Sequence, residues 1–363
     1  MFSNIYFGKK VLVTGHTGFK GSWLTCWLLK LGAEVVGVSK DVPTKPAMFE
    51  DLQLESMVKH HVCDIRDLDT LSEAITKSNP DIVIHMAAQP LVRKSYHDPI
   101  ETFGVNVMGT VNILEAARRA PNVRSIVNIT TDKCYDNKEW LWPYRECDSL
   151  GGHDPYSASK ACSEIATAAY RNSFFAEENI YLATARAGNV IGGGDWASDR
   201  LIPDFLRAID EGKTLNVRSP NALRPWQHVL EPLSGYIKVA EELWKSGHEA
   251  SSSWNFGPHL TDIRSVQEVS ELFCQFWGCS NIIEYDDASL QVHEATSLSL
   301  DISKAFFELK WSPRWDLNES VKRTSDWYQH FLSNGDCLEL CHLQVNEYFK
   351  DIVTLTASRS PCK

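Results

Sequence analysis

Tyr156 and Lys160 stand four positions apart in the run PYSASK of this 363-residue chain. On a helix that spacing puts both side chains on one face, one turn apart. An ammonium beside a phenol favours the phenolate, so Lys160 is expected to lower the pKa of Tyr156. A phenol tuned toward neutral pH is a good base for a sugar hydroxyl. Tyrosine and lysine also fall at this spacing on helices by chance, so the surrounding elements decide whether the pair does chemistry. An apolar run at 125–129 precedes it and breaks at Thr130, Thr131, Asp132 and Lys133.

The chain begins with a second candidate site. Residues 9–14 read as a buried strand, and Gly15, Gly18 and Gly21 follow at once. Apolar residues at helical spacing then run over 22–31, with Gly32 placed to end the helix and a second strand at 33–38. Three glycines between strand and helix serve a tight turn, the approach of a pyrophosphate, and close packing of helix on strand. The helix start offers free N–H groups to phosphate. This pattern predicts a dinucleotide loop. The second strand ends at Ser39, Lys40 and Asp41. Ser39 sits where an acid more often holds the ribose, Asp41 is either that acid or a loop aspartate, and Lys40 suits a 2′-phosphate, so this point leaves NAD and NADP open.

Further strands are expected near 61–67, 81–86, 125–129 and 180–185. Asp64 either receives the adenine amino group or caps a helix starting near Asp69. Ala87 and Ala88 permit close approach of a cofactor, and residues from Gln89 past Arg93 form a loop over the site. A helix over 99–120 carries Asn106 on an apolar face, either as a packed core amide or as an anchor for the strand ending at Thr131. Another helix runs from Tyr156 to about 172. Strand–helix alternation predicts an α/β fold with a doubly wound parallel sheet and ligands at the carboxyl ends of its strands. Alternation fades beyond 190. The expected division is a dinucleotide-binding domain over 1–190, joined by some later segments, a smaller mixed α/β substrate domain over 191–335, and an extension over 336–363 with a loose end.

A formal net charge of −11 without a basic block argues against nucleic acid as a partner. No stretch reaches the roughly 20 apolar residues of a membrane helix, and no signal peptide is expected from residues 1–6. The ten cysteines lack paired CxxC spacing and read as reduced thiols of a cytoplasmic protein. His60, His61 and Cys63 have no second ligand pair at usable spacing, so no metal is expected.

The glycine loop, Thr131 and the Tyr156/Lys160 pair together resemble the extended short-chain dehydrogenase/reductase family that acts on nucleotide sugars. Within it the chain is most similar to the 4,6-dehydratases, and among those to the CDP-glucose branch. The carrying segments are VTGHTGFKGSW (13–23), AAQPLVRKSY (87–96), TTDKCYDNKEW (130–140), GGHDPYSASKACSE (151–164), DRLIPD (199–204) and RPWQHVLEPLSGY (224–236). Lys133 stands where the wider dehydratase group carries Glu. The resemblance implies NAD, used and restored in each turnover, a CDP-glucose substrate and a homodimer built on helices of the first domain. It implies that Gly15, Thr17, Gly18, Phe19, Lys20, Gly21, Ser39, Asp64, Ile65, Ala87, Ala88, Gln89 and Asn106 meet the cofactor together with Tyr156 and Lys160. Substrate falls to Arg93, Asn189, Arg200, Arg218 and Arg224, the last a guanidinium fork suited to the diphosphate. Trp226 either stacks on the base or packs.

The implied chemistry has Tyr156 take the proton of the 4-hydroxyl, Thr131 donate to the 4-oxygen, and Asp132 protonate the departing 6-hydroxyl. Lys133 is either a neutral base for the C5 proton or a cation steadying the enolate. A 4-epimerase would keep Tyr156 and Lys160 without needing Asp132 and Lys133. A non-catalytic NAD-sensing scaffold would not need the tyrosine.

Overall fold

A computed structural model describes residues 2, 4–280, 282–286 and 297–357. The part of the expected loose end beyond Ala357 lies outside the described residues. Six strands alternate with helices: β1 (Lys10–Thr14), β2 (Glu34–Ser39), β3 (Lys59–Val62), β4 (Ile82–His85), β5 (Ser125–Ile129) and β6 (Tyr181–Ala187). With Ser253–Phe256 they form one parallel sheet in the order Ser253–Phe256, β6, β5, β4, β1, β2, β3. The chain reverses direction of travel across the sheet between β1 and β4, which opens a crevice at their carboxyl ends.

Burial on both faces explains why β1, β2 and β4 are runs of Val, Ile and Leu rather than alternating patterns. Val11 and Val13 point into the core shared with helices Phe19–Lys30 and Leu230–Ser246. Leu12 points the other way, among Leu71, Ile75, Ile113 and Leu114. The first helix carries Trp23 and Trp27, both fully buried. Helix Cys337–Ala357 packs on it, with Tyr348 and Phe349 edge-on to Trp27 at 5.8 and 5.4 Å between ring centres.

Several local expectations are corrected. The helix Leu68–Ser78 is capped by Asp67, which accepts from the amides of Asp69 and Thr70 at 3.1 and 3.2 Å. Asp64 does not cap it; its carboxylate is held by the Arg66 guanidinium instead. The helix expected over 99–120 is interrupted: Pro99–Phe103 and Gly109–Arg118 flank a wide π-type turn, Gly104–Met108. Such turns often mark functional positions, and this one contains Asn106. Helix Leu230–Ser246 has no counterpart in the sequence reading.

Candidate functional site

Thr14 ends β1, and its hydroxyl accepts from the amides of Met86 and Ala87 at 3.1 Å, which locks β1 to β4 at the crevice. Gly15 follows with φ +72, and a Cβ there would lie 2.8 Å from the Ala87 amide nitrogen. A Cβ on Gly21 would meet the Gly15 carbonyl at 2.1 Å. Gly18 differs: its nearest obstacle is 3.5 Å away. It is the N-cap of helix Phe19–Lys30 and supplies no side-chain cap. The fold therefore demands glycine at 15 and 21, while at 18 it leaves an open cradle of uncapped N–H groups, suited to a phosphate anion.

This cradle is one end of a cavity of about 1130 Å³. Every candidate residue named from the sequence lines it except Asn106. Asn106 is buried beneath the wall. Its amide accepts from the Gln89 backbone N–H at 2.8 Å and donates to the Gln89 carbonyl and to Ser159. Of the two alternatives it is the packed core amide, and it ties the loop after β4 to the helix Pro155–Tyr170 instead of anchoring the strand ending at Thr131. Ser39 hydrogen-bonds His16 (2.9 Å), whose other ring nitrogen meets His60 (2.7 Å). Thr17 donates to the Asp41 carbonyl. Lys40 is committed to the carboxylates of Glu101 and Asp41.

At the cavity's centre the end of β5 meets the start of helix Pro155–Tyr170. Asp154 caps that helix through the Ser157 amide, with Pro155 in the first turn. Tyr156 and Lys160 project from one face, as the spacing requires. Thr131 caps the single turn Asp132–Cys134 and donates to Asp132 Oδ1 at 2.9 Å. Asp132 Oδ2 is buried without a partner among the described residues, and a Cβ on Gly188 would crowd it at 2.9 Å. A buried carboxylate oxygen left unpaired is costly, so its place on a ligand cavity points to a group that arrives with the ligand.

The expected lowering of the Tyr156 pKa does not appear. Burial pushes the phenol up to about 12, with the Thr131 hydrogen bond pulling against that rise and the Asp132 carboxylate adding to it. Lys160 Nζ donates to the Ile129 carbonyl at 3.2 Å, and burial brings its own pKa down to about 8 against the opposing charge of Glu164. Desolvation thus outweighs the Thr131 hydrogen bond and the charge of Arg200, the two influences that favour the phenolate. Lys20 reaches the same region from the glycine loop and donates to the Tyr236 hydroxyl at 3.0 Å. Burial, reinforced by Arg200 and Lys160, lowers it to about 7.

The third part of the cavity is rich in arginine. Arg93 and Arg218 both approach Asp199 (3.5 and 3.3 Å), and Arg200 approaches Asp195 (3.6 Å). Arg224 and Asn189 line the same wall, as does the ring of Trp226, whose indole N–H donates to the Arg264 carbonyl. Asp195, Asp199 and Tyr236 are site residues that sequence reasoning missed. Tyr236 sits on the unforeseen helix, and the aspartates lie in a loop with no spacing signal. Among the described residues no group of three or more His, Cys, Asp or Glu could hold a metal ion.

The chain matches the GDP-mannose 4,6 dehydratase family over residues 12–324 and belongs to it. It is 49% identical over 356 residues to the CDP-glucose 4,6-dehydratase of Salmonella typhimurium, covering 95% of this chain and 97% of that one. Among solved structures it resembles a dTDP-glucose 4,6-dehydratase of Streptomyces venezuelae with NAD bound (TM-score 0.77, 24% identity, 91% of this chain and 99% of that chain). It also resembles a Thermotoga maritima UDP-glucose 4-epimerase (TM-score 0.77, 21% identity, 89% and 99%). These two likenesses speak for the fold alone.

Proposed function

We propose that this chain converts CDP-D-glucose to CDP-4-dehydro-6-deoxy-D-glucose and water, with NAD recycled in each turnover. The observation that carries the reading is the nearly full-length 49% identity to a CDP-glucose 4,6-dehydratase, together with Thr131, Asp132 and Lys133 facing Tyr156 and Lys160 in one cavity. When bound, NAD would supply reversible hydride acceptance, from C4 of the glucosyl ring and back to C6. The open cradle at Gly18 suits its pyrophosphate.

Tyr156 takes the proton from the 4-hydroxyl, and Thr131, already hydrogen-bonded to Asp132, turns its donor to the 4-oxygen. Lys160 holds the nicotinamide ribose and lends positive charge to the phenolate. The 4-keto group acidifies the C5 proton. Asp132 then gives its proton to the departing 6-hydroxyl from the Oδ2 atom that lacks a protein partner. Lys133 either accepts the C5 proton or, as a cation, steadies the enolate while Tyr156 or water takes that proton. Arg93, Arg200, Arg218 and Arg224, with Asn189, take the diphosphate. Mixing the purified protein with CDP-glucose should produce the alkaline absorbance of a 4-keto sugar; an epimer product, or no turnover, sinks the reading.

Two further expectations arise here. Gly18→Ala should fold with stability changed by no more than about 0.5 kcal/mol, yet bind NAD at least about tenfold more weakly, a loss of about 1.4 kcal/mol. Titration of tryptophan fluorescence reads the affinity, and thermal melts read the fold. Lys133→Met should slow turnover by about 10²-fold or more and suppress solvent deuterium exchange at C5. Normal exchange and turnover would remove both roles for Lys133.

The same reading supports a homodimer on the helices of the first domain, where Ile100, Met108 and Ile165 leave apolar side chains exposed. Sedimentation equilibrium at micromolar concentration tests it, and a monomer mass would overturn it. It also supports a cytoplasmic location: the nine cysteines described are free thiols, and no helix among the described residues is long and apolar enough to cross a membrane.

A further inference from the structure

Helix Pro155–Tyr170 carries a third polar side chain on the stripe of Tyr156 and Lys160, one turn further on: Glu164. Its side chain is 2% exposed, and its partner Arg186, on β6, is 3% exposed. The two meet through paired contacts, Arg186 Nε to Oε1 at 2.9 Å and Nη2 to Oε2 at 2.8 Å. A buried ion pair of this kind contributes little net stability against an apolar substitute, so its place in the fold calls for another reason.

The remaining contacts of the pair supply one. Glu164 Oε1 also accepts from the Thr130 hydroxyl. Arg186 Nη1 donates to the Tyr135 hydroxyl at 2.7 Å. Thr130 and Tyr135 are the residues immediately before and after the segment Thr131–Cys134. Tyr135 is fastened once more, to Asn255 on the edge strand at 2.8 Å. The segment bearing Thr131, Asp132 and Lys133 is therefore gripped at both ends by one ion pair, and half of that pair is built into the helix bearing Tyr156 and Lys160.

We propose that the Glu164–Arg186 pair is a positioning device that sets the Thr131–Lys133 segment against Tyr156 and Lys160. It touches no reacting atom. Its effect is on geometry, where a displacement of about 1 Å at a reacting group costs on the order of 10²-fold in rate. The inference rests on the dehydratase reading only for its kinetic readout.

The test uses full-length Thr130→Val/Tyr135→Phe, which releases both grips and leaves Glu164 paired with Arg186. Thr184→Val is the control, because Thr184 donates to the same carboxylate at 2.7 Å without holding the segment. The double variant should lose at least about tenfold in kcat with CDP-glucose, with KM for sugar and for NAD changed by less than about threefold. Amide hydrogen exchange over 130–135 should quicken in it. Thr184→Val should keep kcat within about twofold and leave that exchange unchanged. Should the double variant not fold, Thr130→Val alone takes its place. The proposal is overturned if the released variant keeps its kcat, or if both variants lose activity in step with their melting temperatures. If the wild-type protein is inert toward CDP-glucose, the functional reading falls. Exchange alone then decides, with equal rates over 130–135 in wild type and released variant overturning the positioning role.

Discussion

Replacing Tyr156 by phenylalanine is expected to cut kcat by about 10³–10⁴-fold, the upper part of the range for a positioned acid–base group. The loss should be severe because phenylalanine offers no oxygen to take the proton of the 4-hydroxyl. Lys160 Nζ is turned to the Ile129 carbonyl, and the Tyr236 hydroxyl receives a hydrogen bond from Lys20 deep in the wall. NAD binding should survive, since phenylalanine keeps the ring and the glycine cradle is untouched. The pH profile carries a second signature. Burial holds the Tyr156 phenol up at about 12 in the ligand-free protein, so it is neutral near pH 7. The active phenolate becomes commoner as pH rises, and kcat/KM should rise with it until Lys160, brought down to about 8 by burial, loses the charge that supports the phenolate. In the phenylalanine variant that rise should vanish. Assays of the 4-keto product across pH 6–9 (roughly the span in which such limbs are read) check both points; residual turnover with an unchanged pH profile would remove Tyr156 from the reaction.

Asp132→Asn should separate the two halves of the reaction. Asparagine is close to isosteric, and it can still accept from Thr131 through its carbonyl oxygen. It has no proton to give a leaving hydroxyl. Oxidation at C4 should therefore proceed while water loss slows by about 10²–10⁴-fold. A stopped-flow mixture should accumulate the reduced-nicotinamide absorbance, which the wild type keeps low by returning the hydride. Folding should not suffer, because the atom replaced, Oδ2, makes no hydrogen bond among the described residues. If the variant eliminates water at the normal rate, the proton reaches the 6-oxygen from elsewhere.

The parts of this molecule that local patterns govern were readable in its sequence. The β1–glycine loop–helix unit depends on neighbours in the chain and on steric needs at Gly15 and Gly21, so it announced itself. So did the shared face of Tyr156 and Lys160. What escaped depends on partners far away. Ser253–Phe256 reads as an isolated short strand until β6 is seen beside it. Asn106 gives no hint that its amide serves Gln89. Glu164 follows Lys160 by four positions, a spacing that could have drawn attention, but Arg186 and Thr130 come to it only through the sheet. The pKa of Tyr156 went the other way from expectation because spacing reports which charges are near and not how much water is excluded.

The last helix, Cys337–Ala357, closes over Trp27 on the helix that begins at the glycine cradle. It is fastened there by the Tyr348 hydroxyl on Glu231 at 2.7 Å. Until residues 337–357 have been made, the glycine-loop unit thus leaves one flank of its own core uncovered at Trp27. A chain stopped at residue 336 should remain open to protease around Trp27, which limited proteolysis followed by mass spectrometry would show.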